Sequence, residues 1–296
     1  MKQKFKFRST WFTIILLVVF CMHSNCQTII ARKDVSLPAS KKNVIEAEKR
    51  TLLIALTGNT EMDQNIKDLV DRCWKFNTEH HFVSYDDLKG IVSDESSKYT
   101  ILSVNMVNAP ATNNKFFRFS VYLSEKYSRR KALFYTDVLG FYNKTEFEVK
   151  RKDIIFALKH IQNHFIARKA GILRMGYSEV RKYRGVLPTK TLLLDSALFD
   201  KKLDSKQIFP SYTLPYKVTD EKEIEEALMN NDDKYACVQI VPIADVFDVR
   251  LHYVIDCENC NIISYGDTFN GFGDFGFSNL INKKHLRLYQ SHGENE

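Results

Sequence analysis

Cysteine is scarce in this chain of 296 residues: there are six. Cys21 and Cys26 fall in the N-terminal stretch, which leaves Cys73, Cys237, Cys257 and Cys260 for the other 270 positions. Disulfide-held secreted scaffolds use cysteine far more densely, so the fold must rest on an ordinary apolar core, and 44% apolar residues suffice for one or two. Long apolar runs are absent after residue 26, so no later segment is expected to cross a membrane as a helix. Several signatures of chemistry are missing too: there is no G-x-S-x-G and no phosphate-binding loop. No motif calls for a cofactor. Positive charge is also thinner than it looks. The formal +7 includes Lys2, Lys4, Lys6 and Arg8, with no acidic residue before Gln27, so the rest carries about +3 and does not point to a nucleic-acid partner.

What the N-terminus does contain reads as an export signal. The four basic residues precede an apolar stretch from Trp11 to Met22, too short to span a bilayer, and then the polar "HSNCQ". Cleavage before Gln27 is expected, which releases the protein to the periplasm or the exterior. Acylation of Cys26 as a lipoprotein is the alternative.

The remaining chain repeats itself. "RTLLIAL" at 50–56 is echoed by "KTLLLDS" at 190–196, "HFVSYDDLKGIV" at 81–92 by "YKVTDEKEIEEAL" at 216–228, and "SKYTILSVNMV" at 97–107 by "DKYACVQIVPI" at 233–243. Three matches in one order, at nearly constant spacing, indicate a tandem duplication. In the first copy, Met62, Ile66, Leu69, Val70, Cys73 and Trp74 recur at helical spacing behind a cap at Asn59 or Thr60. Ser84 in the first copy, and Thr219 or Asp220 in the second, are expected to cap a second helix, with Glu223 placed for a capping box on Asp220. Phe117, Phe119, Val121 and Leu123 alternate as one face of a strand. The expected fold is α/β (α+β is the alternative): two similar units, each a mixed sheet with elements in the order βαβαβββα. The segments are a signal at 1–26, an N-terminal segment at 27–47, units at 48–170 and 189–296, and a basic linker at 171–188.

Several motifs suggest chemistry and fail in context. Cys257 and Cys260 form a C-x-x-C, but they sit between alternating runs at a hairpin tip. The thioredoxin type opens a helix, whose dipole helps stabilise a thiolate. A local disulfide or two free thiols is therefore expected ahead of redox catalysis or a metal site, with Glu258 and Asn259 central to the turn. "GFGDFG" at 271–276 matches G-x-G-x-x-G, yet too little chain follows to complete a dinucleotide unit. His160 and His164, with Asp153, could line one helix flank as metal ligands, but they border an apolar stripe and read as boundary residues. Ser128 and Lys131 have acyl-transferase spacing without its partner motifs. The basic stretch 168–190 carries seven basic residues against one acidic, and Arg181, Lys182 and Arg184 are its candidate anion contacts.

The export signal ending before Gln27, the run from "TLLL" through "KYACVQIVP", and the "LHYVID…NIISYGD" hairpin resemble uncharacterised exported proteins of Bacteroidetes-type bacteria, mainly over 191–289. The resemblance implies no activity, and an ordinary polar hairpin turn where this chain has two cysteines. The leading expectation is a non-catalytic binding or assembly protein of the cell envelope, its partner an envelope protein or a polyanionic ligand. An envelope enzyme is the alternative, either a thiol-disulfide exchanger at Cys257 and Cys260 or a hydrolase. Anion binding through the basic linker is the third reading.

Overall fold

A computed structural model describes residues 39–94, 98–109, 114–127, 131–143, 146–172, 177–203, 205–242, 250–266 and 280–294. The expected signal and the "GFGDFG" stretch lie outside them, as does Ser128. The chain is a mixed α/β protein with two five-stranded sheets. In the first unit, helix α1 (Lys41–Lys49) precedes β1 (Thr51–Ala55), α2 (Thr60–Cys73), β2 (His80–Val83), α3 (Tyr85–Asp94) and β3 (Tyr99–Ala109). Then come β4 (Asn114–Leu123), the single turn α4 (Ser124–Tyr127), β5 (Phe134–Leu139), a small ribbon of β6 (Phe141–Asn143) with β7 (Glu146–Glu148), and α5 (Arg151–Lys169). A short helix α6 (Tyr177–Lys182) leads to the second unit: β8 (Thr191–Asp195), α7 (Ser205–Ile208), β9 (Tyr216–Thr219), α8 (Glu221–Met229), β10 (Tyr235–Pro242), β11 (Arg250–Asp256), β12 (Ile262–Gly266) and α9 (Lys283–Gly293).

The two sheets have one topology. The first runs β2-β1-β3-β4-β5 and the second β9-β8-β10-β11-β12. In each, the first three strands in sequence are parallel and the last two join antiparallel. The register equates Ile101 with Cys237, since they pair with Leu53 and Leu193 in turn. The units diverge after their first strand. Where α2 presents Met62, Ile66, Leu69 and Val70 to the core, the second unit has a single 3-10 turn and the four-residue α7.

Capping follows the local sequence. Asn59 accepts from the Met62 amide at 2.8 Å, and Ser84 from the Asp87 amide at 3.1 Å. Asp220 accepts from the Glu223 amide at 3.0 Å. The expected capping box does not close, because the Glu223 carboxylate is taken by Lys217 Nζ at 2.5 Å and by the Thr219 hydroxyl. Two expected boundaries also move. Residues assigned to a separate N-terminal segment form α1, whose Val44 and Ala47 are buried and whose Ala47 carbonyl accepts from Thr100 and Asn77. The basic linker is a docked element: Val180 of α6 joins the main core, and Gly185 N donates to Gly293 O at 2.9 Å.

Helix α5 joins the units. One apolar core takes Leu52, Ile54, Leu102, Phe119 and Val121 from the first sheet, Ile154, Leu158, Ile161 and Phe165 from α5, and Leu193, Cys237, Tyr253 and Ile255 from the second sheet. The Arg151 guanidinium bridges the units, donating to Asp68 of α2 at 2.6 Å and Glu225 of α8 at 2.7 Å. The helix is buried on most of its sides, and its buried polar residues include Lys152, Asp153, Gln162 and His164. The outer face of the second sheet packs on Leu286 and Tyr289 of α9, and the outer face of the first packs on Leu88 of α3.

Candidate functional site

In an open α/β sheet, ligands bind beyond the carboxyl ends of parallel strands, where the chain's crossovers leave on opposite faces. That point lies here between β1 and β3. Leu52 and Ile54 of β1 pack toward α2, while Leu53 and Ala55 pack toward α3. The loop after β1 is fixed by Asp63, which accepts from Thr57 N at 2.7 Å, the Thr57 hydroxyl at 2.7 Å and Gly58 N at 3.0 Å. Gly58 has φ +86°, a left-handed conformation that suits glycine.

Ala55, the last residue of β1, lies beside Ser103 of β3, and from there the α3 side of the sheet turns polar. Directly opposed pairs place Ser103 against Ser120, Asn105 against Arg118, Arg118 against Asp137, and Ser120 against Tyr135 on one face. Ser103, Ser120 and Asp137 form a buried floor, while Tyr85, Asn105, Arg118, Tyr127 and Tyr135 reach solvent around it. Arg118 donates from Nε and Nη2 to the two Asp137 oxygens, each at 2.7 Å, and lies 4.0 Å over the Tyr135 ring. Asn105 Nδ2 donates to Ser103 Oγ at 2.7 Å, and the hydrogen-bonded chain continues through Tyr127 to Tyr85. Burial and the nearby Tyr85 and Tyr122 hydroxyls push the Tyr127 pKa up to about 12, against the pull of Ser103, so it stays a neutral donor. Ser120 Oγ is buried and has no hydrogen-bond partner among the described residues. A buried hydroxyl left unsatisfied costs about 1–3 kcal/mol, so a ligand that bonds it recovers that cost.

The second unit supplies the comparison. By register, Gln239, Val241, Leu251, Tyr253 and Ile255 stand where the first unit has Ser103, Asn105, Arg118, Ser120 and Tyr122. There the face is filled by α5. Its Asp153 accepts from Gln239 Nε2 at 2.9 Å and pairs with Lys152 Nζ at 2.9 Å, with both charged side chains 5% exposed. Burial alone would lower the Lys152 pKa, but the charge and hydrogen bond of Asp153 outweigh it and raise it. Asp195, in the place of Ala55, accepts from Ala197 N at 2.9 Å, and its other oxygen is buried with no partner among the described residues. Among the described elements none plays the part of α5 over the first unit's shelf. One crevice is filled by a charged pair from α5, and its twin is floored with small polar groups.

The chain matches no protein-family model, no curated protein and no solved structure.

The residues singled out from sequence lie elsewhere. Cys257 and Cys260 are free thiols, fully buried in the main core with Cys73 and Cys237. The ladder closes one position earlier than expected. Asp256 N donates to Asn261 O at 3.0 Å, so both cysteines sit in the loop rather than facing each other across strands, and Cys260 takes φ +53°. A hydrogen bond with Cys237 and burial raise the Cys257 thiol well above its ordinary value, and burial pushes Cys260 up to about 12. A reactive thiol needs the opposite shift. Arg181 and Lys182 are exposed on α6, and Arg184 is half-buried. His164 is buried and stacks on Phe134 with ring centroids 3.8 Å apart, and His160 stacks on Phe156 at 5.1 Å. Among the described residues no cluster of His, Cys, Asp or Glu could hold a metal ion. The shelf residues escaped notice, although the duplication marked them: the second repeat has Val241 where the first has Asn105.

Proposed function

We propose that this is an exported binding protein of the cell envelope, which holds a small polar ligand on the shelf of its first unit and does not transform it. The observation that carries this reading is the asymmetry between two equivalent crevices, one plugged by Lys152 and Asp153 and the other floored with Ser103, Ser120 and Asp137. A duplicated fold that fills one copy of its natural site and keeps the other polar is arranged for binding there. The shelf has little with which to catalyse. Ser103 is engaged by Asn105, and Asp137, the carboxylate on these strands, is held by Arg118, so neither serine has a base placed to take its proton.

The test compares the wild-type protein with Ser120→Tyr, which installs the residue found in the second unit. Thermal shifts against a mixed metabolite library should include hits that this variant abolishes. Hits that it leaves unchanged would place binding elsewhere. Export is tested by N-terminal sequencing of the protein from the envelope fraction. A start at Gln27 supports it, and a cytosolic protein with residues 1–26 retained contradicts it.

A further inference from the structure

We infer that the ligand of this shelf is a neutral carbohydrate; the inference rests on the binding-protein reading above and names its ligand class. Charge decides first. Arg118, the cation on the shelf face of β3, β4 and β5, is already bonded through two nitrogens to both oxygens of Asp137, at 2.7 Å each. An anion on the floor would have to break that pair or settle beside Asp137, since exposed Lys89 lies out at the Tyr85 rim, and a cation would meet a carboxylate already neutralised. Either loses more hydration than the shelf returns. A neutral ligand faces no such cost.

Shape and surface chemistry decide next. Tyr85, Tyr127 and Tyr135 line the edges of the shelf with partly exposed rings, and Tyr122 meets Tyr127 edge-on with centroids 5.2 Å apart. Lys89 lies over the Tyr85 ring at 5.2 Å, and Arg118 over one face of Tyr135, so these rings are held in place. Fixed aromatic rings offer apolar contact at low entropic cost, and tyrosine adds a polar tip. Between the rings stand short polar groups, the Ser103 and Ser120 hydroxyls and the Asn105 amide. Each can donate and accept, as sugar hydroxyls can. A pyranose ring combines a patch of C–H groups with a rim of hydroxyls, and so matches rings flanking a floor of hydroxyls. The Ser120 hydroxyl gains from it the hydrogen bond that the protein does not supply. In the second unit Gln239, Val241 and Tyr253 stand in place of Ser103, Asn105 and Ser120, and its face is buried by protein.

Calorimetry of the purified protein with maltohexaose, cellohexaose, xylohexaose and chitohexaose tests this, with polygalacturonate and dextran sulfate as polyanions. The expected result is binding to at least one neutral oligosaccharide that persists in high salt. Tyr135→Ala should weaken it about tenfold or more. Ser120→Ala should weaken it several-fold with its unfolding midpoint at or above wild type, because it removes an unsatisfied buried hydroxyl, while Tyr135→Ala should keep one cooperative unfolding transition. Binding confined to the polyanions and abolished by salt overturns the inference, as does neutral-sugar binding indifferent to both variants. If only non-sugar metabolites produce shifts that Ser120→Tyr abolishes, the ligand class is wrong and the crevice reading stands. If no compound does, both fall.

Discussion

Replacing Lys152 by Met tests whether the second crevice is plugged as described. Lys152 and Asp153 are paired at 2.9 Å with 5% of each side chain exposed, and the other bond to the carboxylate comes from Gln239. Without the ammonium, Asp153 keeps its charge in a dry interface with one amide donor. Leaving one member of a buried pair uncompensated costs about 3–5 kcal/mol. The double variant Lys152→Met/Asp153→Leu removes both charges and leaves the Gln239 amide only its 3.3 Å bond to the Ile240 carbonyl, a loss of at most about 1–3 kcal/mol. The double variant should therefore be the more stable of the two. Urea unfolding followed by circular dichroism measures both. Wild type should unfold in one transition, because a single apolar core runs from the first sheet through α5 to the second. A loss below about 1 kcal/mol for Lys152→Met, or a double variant less stable than the single, would refute the argument, since the pair would then be solvated.

Other consequences concern groups away from the shelf. His285 is fully buried and stacked on His252 at 4.0 Å, and burial first, then the charge of Lys284, lowers its pKa from 6.5 to about 4. The unfolded chain therefore binds the extra proton between those values, so stability should be complete above pH 6.5 and fall by about 3 kcal/mol toward pH 4. Urea midpoints against pH measure this, and a flat profile in that window would contradict it. Cys73, Cys237, Cys257 and Cys260 should react with a disulfide reagent only as the protein unfolds, given their burial and the raised thiols of Cys73, Cys257 and Cys260. Rapid labelling of a native thiol, or reduction of insulin by the protein that Cys257→Ser abolishes, would restore the redox reading. Gly266→Ala should cost about 1–3 kcal/mol, because a Cβ there would lie 2.6 Å from Tyr289 Cε1. An unchanged melting temperature would mean that α9 shifts freely on β12.

Much of the fold was legible because local signals and core patterning agreed. The stripe from Met62 to Cys73 became α2, and Phe117, Phe119, Val121 and Leu123 became the core face of β4. The repeated "KY" of Tyr99 and Tyr235 entered equivalent strands. The helix α5 was legible but its place between the units was not, because its buried pair, Lys152 and Asp153, reads as a polar helix start until the second unit's Gln239 is in place. The shelf was hidden for a related reason. Ser103 and Ser120 are 17 positions apart in sequence and carry no motif; antiparallel pairing alone brings them together. Cys257 and Cys260 drew attention by spacing, while burial makes their thiols poor nucleophiles.

Hydroxyl-radical footprinting with and without the tightest-binding neutral oligosaccharide tests the central claim most directly, because tyrosines mark both crevices. The account predicts that Tyr85, Tyr127 and Tyr135 are labelled in the free protein and protected by the sugar, while buried Tyr253 is labelled little in either state. Protection confined to the second unit, or labelling of the three shelf tyrosines that no sugar changes, would contradict it.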